Sequence, residues 1–174
     1  MICASSIHAE TTPPASVRYR DANIEETPDF QRHVLPLMGR LGCNGRACHG
    51  SFQGQGGFRL SLFGYDFEAD HAALTEGDAP RVDREQPHKS LILQKPTLQV
   101  DHDGGDIFER GSWQYHLLKR WIEAGAQGRA DESPILESLV VEPAELNFDK
   151  ATATSQLRVV ARWSDGHAED VRRL

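Results

Sequence analysis

The sequence predicts a mainly α fold with a short β element, followed by a partial β-sandwich segment. Up to about residue 128, apolar residues recur at helical spacing in several segments, whereas after residue 134 they form short alternating runs. We divide the 174 residues into a flexible leader with a signal remnant (1–26), a helical domain (27–128), a linker (129–134) and an incomplete β domain (135–174).

Composition and charge limit the classes of function. The chain is 39% hydrophobic and 26% charged, which is typical of a soluble globular protein. Its formal net charge of −7 argues against nucleic acid or an anionic membrane surface as a partner. No apolar run approaches the length of about 18 residues that a membrane span needs.

The leader has no apolar period, and its Thr, Pro, Ala and acidic residues predict a loose segment. Residues 1–10 resemble the end of a secretory signal, because a stretch of small residues finishes at Ala9. Cys3 is interpreted as an incidental free thiol in this tail.

The helical domain is expected to begin at Thr27, which precedes a proline and an acid in the first turn. The first helix should run to Leu41, with a bend at Pro36. Its apolar face carries Phe30, Val34, Leu37, Met38 and Leu41.

Further elements follow in order. We expect a short strand over Phe58–Leu62, a helix over Asp66–Glu76, and a short helix over Pro87–Leu93. Ser112 should cap a last helix that stops near Gly125. The apolar stripe of that helix carries Trp113, Leu117, Leu118, Trp121 and Ile122.

The β domain is predicted to contain strands at Leu136–Val141, Glu145–Phe148 and Leu157–Trp163, with a turn at 164–166. About three strands are too few to close a sandwich. We therefore expect only part of a domain in this segment.

The most informative stretch places Cys43, Cys48 and His49 between glycines. Two cysteines followed at once by histidine are the signature of covalently attached c-type haem, here in a longer form with four residues between the cysteines. In such a site the thiols bond to the porphyrin edge and the histidine binds the iron from the proximal side. Asn44-Gly45 tolerates left-handed backbone angles, so the extra residues can bulge outward.

Three other interpretations of this motif stay open. A structural zinc site would need a second ligand pair, which the sequence does not contain. A Cys43–Cys48 disulfide would require an oxidising compartment. A redox-active dithiol normally has two intervening residues and a thioredoxin-like context.

The opposite face of the iron needs a second ligand, and His102 is our candidate, in a loop bounded by Gly104-Gly105. Met38 is expected to be a core residue on the helix before the motif, and Met1 lies on the loose tail. The alternatives for His102 are a surface histidine or part of a calcium-binding acidic loop, although that loop lacks EF-hand spacing. The remaining histidines are interpreted as surface, core-edge or remote residues, of which the first two are reserve ligands: His71, His88, His116, His33, His8 and His167.

Ligation by two histidines predicts electron transfer, because no coordination position stays open for oxygen or for chemistry at iron. Without a thioether ligand the reduction potential should be comparatively low. Asp101 or Asp103 would be natural hydrogen-bond partners for the imidazole nitrogens that do not bind iron.

Residues 30–128 resemble the cytochrome c-type domain of large planctomycete multidomain proteins. Besides the motif at 42–50, the similarity lies in Gly-Gly-Phe-Arg-Leu-Ser-Leu-Phe-Gly-Tyr-Asp (56–66), Ser-Leu-Ile-Leu-Gln-Lys-Pro (90–96), His-Asp-Gly-Gly (102–105) and Trp-Ile-Glu-Ala-Gly-Ala (121–126). Residues 136–174 are similar to the first half of the bacterial immunoglobulin-like domain, type 2, that follows in that family. The resemblance implies a cytochrome c-like helical haem domain, with Cys43, Cys48 and His49 as attachment and proximal residues.

These observations predict an exported, periplasmic or otherwise extracytoplasmic electron-transfer protein with one covalent haem c, and not an enzyme in itself. Its partners would be unidentified redox proteins, for which a basic partner suits the net charge, and further domains of a longer chain. The alternative is an extracytoplasmic binding or scaffold module in which the haem or a Cys43–Cys48 disulfide is structural.

Overall fold

The computed structural model describes residues 11–174, which form two compact units. The larger unit comprises 15–131 with Leu174, and the sheet unit comprises 132–173 with the described residues up to Pro14. The prediction of a mainly α fold with a partial β-sandwich is wrong, because helices cover only 27% and strands 12% of the described residues. Turns and loops occupy most of the described residues. The signal remnant, Met1, Cys3 and His8 lie outside the described residues.

The end of the expected leader is part of the larger unit. Helix α1 spans Ala15–Arg18, and Ala15 and Tyr19 are completely buried. The Tyr19 hydroxyl donates to a Glu26 carboxylate oxygen at 3.1 Å, and Arg18 pairs with the same carboxylate. The prediction of a loose segment was therefore wrong for these residues, because Ala15 and Tyr19 join the core without a helical repeat.

The helix before the motif begins two residues later than expected. The Asp29 side chain, rather than Thr27, caps it by accepting a hydrogen bond from Arg32 N at 2.7 Å. A π-helical turn covers Phe30–Val34, and helix α2 covers Leu35–Arg40. Proline at position 36 lies in the first turn of α2, at the junction with the π-helical turn.

Helix α3 spans Phe67–Thr75, and its buried carboxylate holds the preceding segment. Asp70 is fully buried and accepts hydrogen bonds from Ser61 N at 2.5 Å and Ser61 Oγ at 2.7 Å. Burial raises the pKa of Asp70, while the two bonds from Ser61 oppose that rise. This pair ties α3 to the extended segment that follows the cysteine motif.

Two expected elements differ from the prediction. No strand forms over Phe58–Leu62, where the structure has an isolated bridge between Gln55 and Phe58 and a 3₁₀ turn at Leu62–Gly64. The helix expected over Pro87–Leu93 is divided into a 3₁₀ turn, Pro87–Lys89, and helix α4, Leu91–Gln94. Ser90 breaks it with extended backbone angles (φ −57°, ψ 130°).

Helix α5, Trp113–Glu123, provides the centre of the larger unit. Ser112 caps it as the sequence predicts, by accepting a hydrogen bond from Tyr115 N. Trp121 stacks on Phe30 with ring centroids 5.6 Å apart. Gly125, with a φ of +98°, follows the end of the helix, where a left-handed residue is common.

The sheet unit contains an antiparallel sheet in the order β1-β2-β3, with β1 at Leu136–Glu142, β2 at Arg158–Trp163 and β3 at Ala168–Asp170. No strand forms at 145–148, and the short β3 was not predicted. Thr12 forms a parallel bridge with Glu169.

Strand β1 is an edge strand with an exposed apolar surface. Leu136, Leu139 and Val141 are each at least 45% exposed. Val160 and Ala161 of the central strand are instead buried. Among the described residues, the sheet unit therefore buries its centre and leaves the outer edge of β1 unpaired.

Replacing the buried carboxylate tests the link between α3 and the segment after the motif. We expect Asp70→Ala to lower the free energy of unfolding by about 2 kcal/mol, because Ser61 N–H then has no acceptor in a dry environment. Glu68→Ala is the matched control, since Glu68 is an exposed acid on the same helix. Urea unfolding followed by circular dichroism measures both, and equal stabilities for the two variants would contradict the assignment.

Candidate haem-binding site

The cysteine motif folds into a closed loop. His49 N donates to Cys43 O at 3.0 Å, and Cys48 N donates to Gly45 O at 3.0 Å. Cys43 N in turn donates to Met38 O at 2.9 Å, so the loop continues directly from α2. The four residues between the cysteines thus form turns that bring the backbone of His49 next to that of Cys43.

A glycine is required where this loop closes. Gly50 N donates to Gly45 O at 3.0 Å, and a Cβ at Gly50 would lie 2.1 Å from Asn44 O. No side chain fits at that distance. The glycine after the histidine therefore permits the close backbone approach that keeps the motif compact.

His49 is oriented by the segment that follows the loop. Its Nδ1 donates to Phe58 O at 3.0 Å, and Leu60 N donates to His49 O at 2.8 Å. A carbonyl oxygen can only accept, so the proton lies on Nδ1 and the lone pair of the neutral ring lies on Nε2. The Phe58 ring also packs on the imidazole, with centroids 4.7 Å apart.

His102 is held in the same way by a different loop. Its Nδ1 donates to Gly105 O at 2.9 Å, which leaves Nε2 as the free ring nitrogen. The loop is closed at its base because Ile107 N donates to Pro96 O at 2.8 Å. The predicted aspartate partners are therefore wrong, since backbone carbonyls orient both histidines.

One cavity of about 610 Å³ brings the predicted site residues together, and this volume suits a small cofactor. Cys43, Cys48, His49 and His102 all contribute to its lining. Apolar side chains form much of the remaining wall, among them Met38, Leu41, Ile92 and Ile107.

The cavity keeps the first cysteine protonated. Burial, together with repulsion from Cys48, raises the pKa of the Cys43 thiol to about 11. At neutral pH Cys43 is therefore a thiol and a weak nucleophile, unlike the low-pKa cysteine of a dithiol redox enzyme.

The cavity also keeps the histidine of the motif neutral. Burial lowers the pKa of His49, and the charges of His102 and Arg81 lower it further, whereas hydrogen bonds to the backbones of Phe58 and Gln55 oppose the change. Both histidines line the same cavity. A neutral imidazole with a free Nε2 is the form that binds a metal.

The reserve ligands lie elsewhere. His71 Nε2 bonds with Ala126 O at 2.8 Å, and its ring packs against Phe30 and Trp121 in the core. His88 is exposed and lines a separate cavity. Met38 is a buried core residue, as expected, and it also forms part of the cavity wall.

The alternatives for the motif can be compared with the same geometry. Within residues 11–174, no group of three or more His, Cys, Asp or Glu side chains is arranged to hold a bare metal ion. This observation gives no support to zinc at the motif or calcium at the His102 loop. Both motif cysteines are free thiols in the structure.

Sequence reasoning did not assign Phe58, Arg81 and Lys95 to the site, although all three line the cavity. Lys95 Nζ donates to Asp101 O at 2.8 Å, and the Arg81 guanidinium lies 5.1 Å from the centre of the Phe58 ring. No periodic pattern marks these residues.

Comparisons with models of known protein families, with curated proteins and with solved structures find no match to this chain. The resemblance to a planctomycete cytochrome domain therefore stays a prediction. Across residues 11–174, no helix has the length and apolar character needed to cross a bilayer.

The raised pKa of Cys43 predicts slow alkylation of the haem-free protein. In a Cys3→Ser, Cys48→Ser background, iodoacetamide labelling at Cys43 should accelerate with pH beyond 9.0, the ordinary thiol pKa. Because both burial and Cys48 raise this pKa, keeping Cys48 in a Cys3→Ser control should slow Cys43 further. At pH 8 Cys43 of the folded Cys3→Ser protein should react about 100-fold more slowly than Cys43 of the same chain unfolded in urea, because the folded protein has a smaller fraction of thiolate. Mass spectrometry of labelled peptides measures each rate, and equal rates in buffer and urea would contradict the prediction.

Proposed function

We propose that residues 15–131 form a c-type cytochrome domain that carries one covalent haem and transfers single electrons. The observation that supports this most directly is the single cavity shared by Cys43, Cys48, His49 and His102. Two free thiols and two oriented imidazoles in one cavity match the four bonds that a bis-histidine haem c makes with protein.

These residues fit a haem because their thiols and imidazole nitrogens can bond to it. Cys43 and Cys48 have free thiols for the porphyrin edge, and His49 and His102 each direct Nδ1 to a backbone carbonyl, which leaves Nε2 as the nitrogen for iron. The hydrogen bond from each Nδ1 to a backbone carbonyl fixes the ring and increases the basicity of Nε2. When bound, the haem supplies an iron centre that changes oxidation state by one electron.

The protein would then perform three tasks. His49 and His102 would hold the iron, and together they would exclude oxygen or other ligands from it. The apolar wall formed by Met38, Leu41 and Ile107 would exclude water and limit reorganisation around the site. Rigid backbone anchors would hold the imidazoles still in both oxidation states, which favours rapid electron exchange.

This proposal has consequences for location and partners. Covalent haem attachment at cysteine pairs takes place outside the cytoplasm, so we infer an exported, periplasmic or otherwise extracytoplasmic protein. Its partners would be redox proteins, and the domain would transfer electrons without catalysing a reaction of its own. No pair of residues suited to acid–base or nucleophilic catalysis was identified in the sequence.

Absorption spectra of protein made in a host that matures c-type cytochromes test the proposal. We expect a covalent, low-spin, six-coordinate haem in the wild type and a high-spin spectrum in His102→Ala, because the iron loses one axial ligand. His88→Ala is the matched control and should keep the low-spin spectrum, since His88 lies outside the cavity.

Each other outcome has a defined meaning. A low-spin spectrum in His102→Ala would overturn the assignment of the distal ligand. A wild type without covalent haem would overturn the cytochrome proposal and favour the binding or scaffold module.

A smaller change tests the position of the distal ring. A Cβ at Gly104 would lie 2.7 Å from His102 Cε1 and 3.0 Å from Nε2. We expect Gly104→Ala to displace the ring and produce a partly high-spin spectrum at room temperature. Gly39→Ala, whose Cβ would meet only ordinary contacts, should not change the spin state. Identical spectra for the two variants would contradict the predicted role of His102.

A further inference from the structure

Arg81 is rigidly placed at the wall of the cavity. Its N–H donates to Leu74 O at 2.8 Å, and its carbonyl accepts from Ile92 N at 3.0 Å. These bonds fix the backbone between α3 and α4. The side chain is half-buried and lies over Phe58, whose ring packs on His49.

The guanidinium of Arg81 differs from three other arginines of the larger unit, each of which has an oxygen partner. Arg18 pairs with Glu26, Arg84 donates to Gly125 O, and Arg120 donates to Glu25 O. Among the residues that the structure describes, no oxygen accepts a hydrogen bond from the Arg81 guanidinium, and no carboxylate pairs with it. Its recorded contact is the aromatic face of Phe58.

The charge of the cavity lining is also unbalanced. Arg81 and Lys95 are cationic, whereas Asp103 is the single carboxylate among the lining residues. Lys95 uses a neutral acceptor, the carbonyl of Asp101. A partly desolvated guanidinium without an anion is unfavourable, and its planar donors match a carboxylate.

We propose that Arg81 binds a propionate carboxylate of the haem and raises the reduction potential of the iron. This inference rests on the proposed function, because the propionates are the anionic groups that a haem would bring into the cavity. The charge of Arg81 would favour the ferrous state, which carries one positive charge less than the ferric state. It would also hold the propionate ionised, so that the potential varies little with pH.

Potentiometric titration of the matured protein between pH 5 and pH 8 provides the test. We expect Arg81→Gln to have a more negative midpoint potential than the wild type at each pH. Its potential should also rise as the pH falls, because a propionate without its cation takes up a proton near the iron. Arg81→Lys should retain most of the potential, since it keeps the charge and loses only the forked geometry.

Arg129→Gln is the control for the loss of a positive charge. Arg129 also lies over a phenylalanine ring, that of Phe67 at 5.6 Å, but it is exposed and outside the cavity lining. We expect its potential to match that of the wild type. Equal potentials and equal pH dependence in Arg81→Gln and Arg129→Gln would overturn the inference.

A binding experiment covers the case in which Arg81→Gln does not mature. The full chain with Cys43→Ala and Cys48→Ala can be titrated with free iron protoporphyrin IX and with its dimethyl ester. With Arg81 present the diacid should bind at least tenfold more tightly, and with Arg81→Gln that preference should disappear. An unchanged preference would overturn the role of Arg81, whereas a wild type without covalent haem would instead contradict the proposed function.

Discussion

The hydrogen bond from His49 N to Cys43 O is the interaction on which the candidate site depends. It closes a loop in which the two cysteines are separated by four residues, and it places the histidine beside the first cysteine. Without this closure, the extra residues would separate groups that must meet one ligand. The close approach of Gly50 to Asn44 O is the steric condition for the same closure. The backbone geometry of the loop thus brings Cys43 and His49 together in the chain alone, as the proposed haem attachment would require.

The second support of the site comes from the segment after the loop. Three hydrogen bonds join this segment to the loop. They run from His49 Nδ1 to Phe58 O, from Leu60 N to His49 O, and from Phe63 N to Asn44 O. The buried carboxylate on α3 then fixes the segment through Ser61. A polar pair in the core thus determines the direction of an imidazole at the cavity wall, although neither member of the pair contributes to the cavity lining.

The sequence could predict the parts of this structure that are local. The motif is contiguous, the cap and apolar stripe of α5 follow helical spacing, and the Gly-Gly turn indicated a loop at His102. The orientation of the histidines could not be predicted, because backbone carbonyls of Phe58 and Gly105 provide it and every residue type has a carbonyl. The helical content was overestimated, because apolar residues at helical spacing also occur around Ser90, where extended backbone angles divide the helix. The position of Arg81 depends on contacts between segments that are distant in sequence.

The exposed apolar edge of the sheet unit affects how the protein can be studied. Dyes that fluoresce on apolar surfaces are commonly used to detect loosely packed states. Here Leu139 and Val141 of β1 offer such a surface in the folded protein, next to a central strand with buried side chains. Dye fluorescence from the folded protein would consequently report the exposed apolar side chains of strand β1 rather than a loss of packing. Near-ultraviolet circular dichroism, which depends on fixed aromatic rings such as Phe30 and Trp121, separates these two situations.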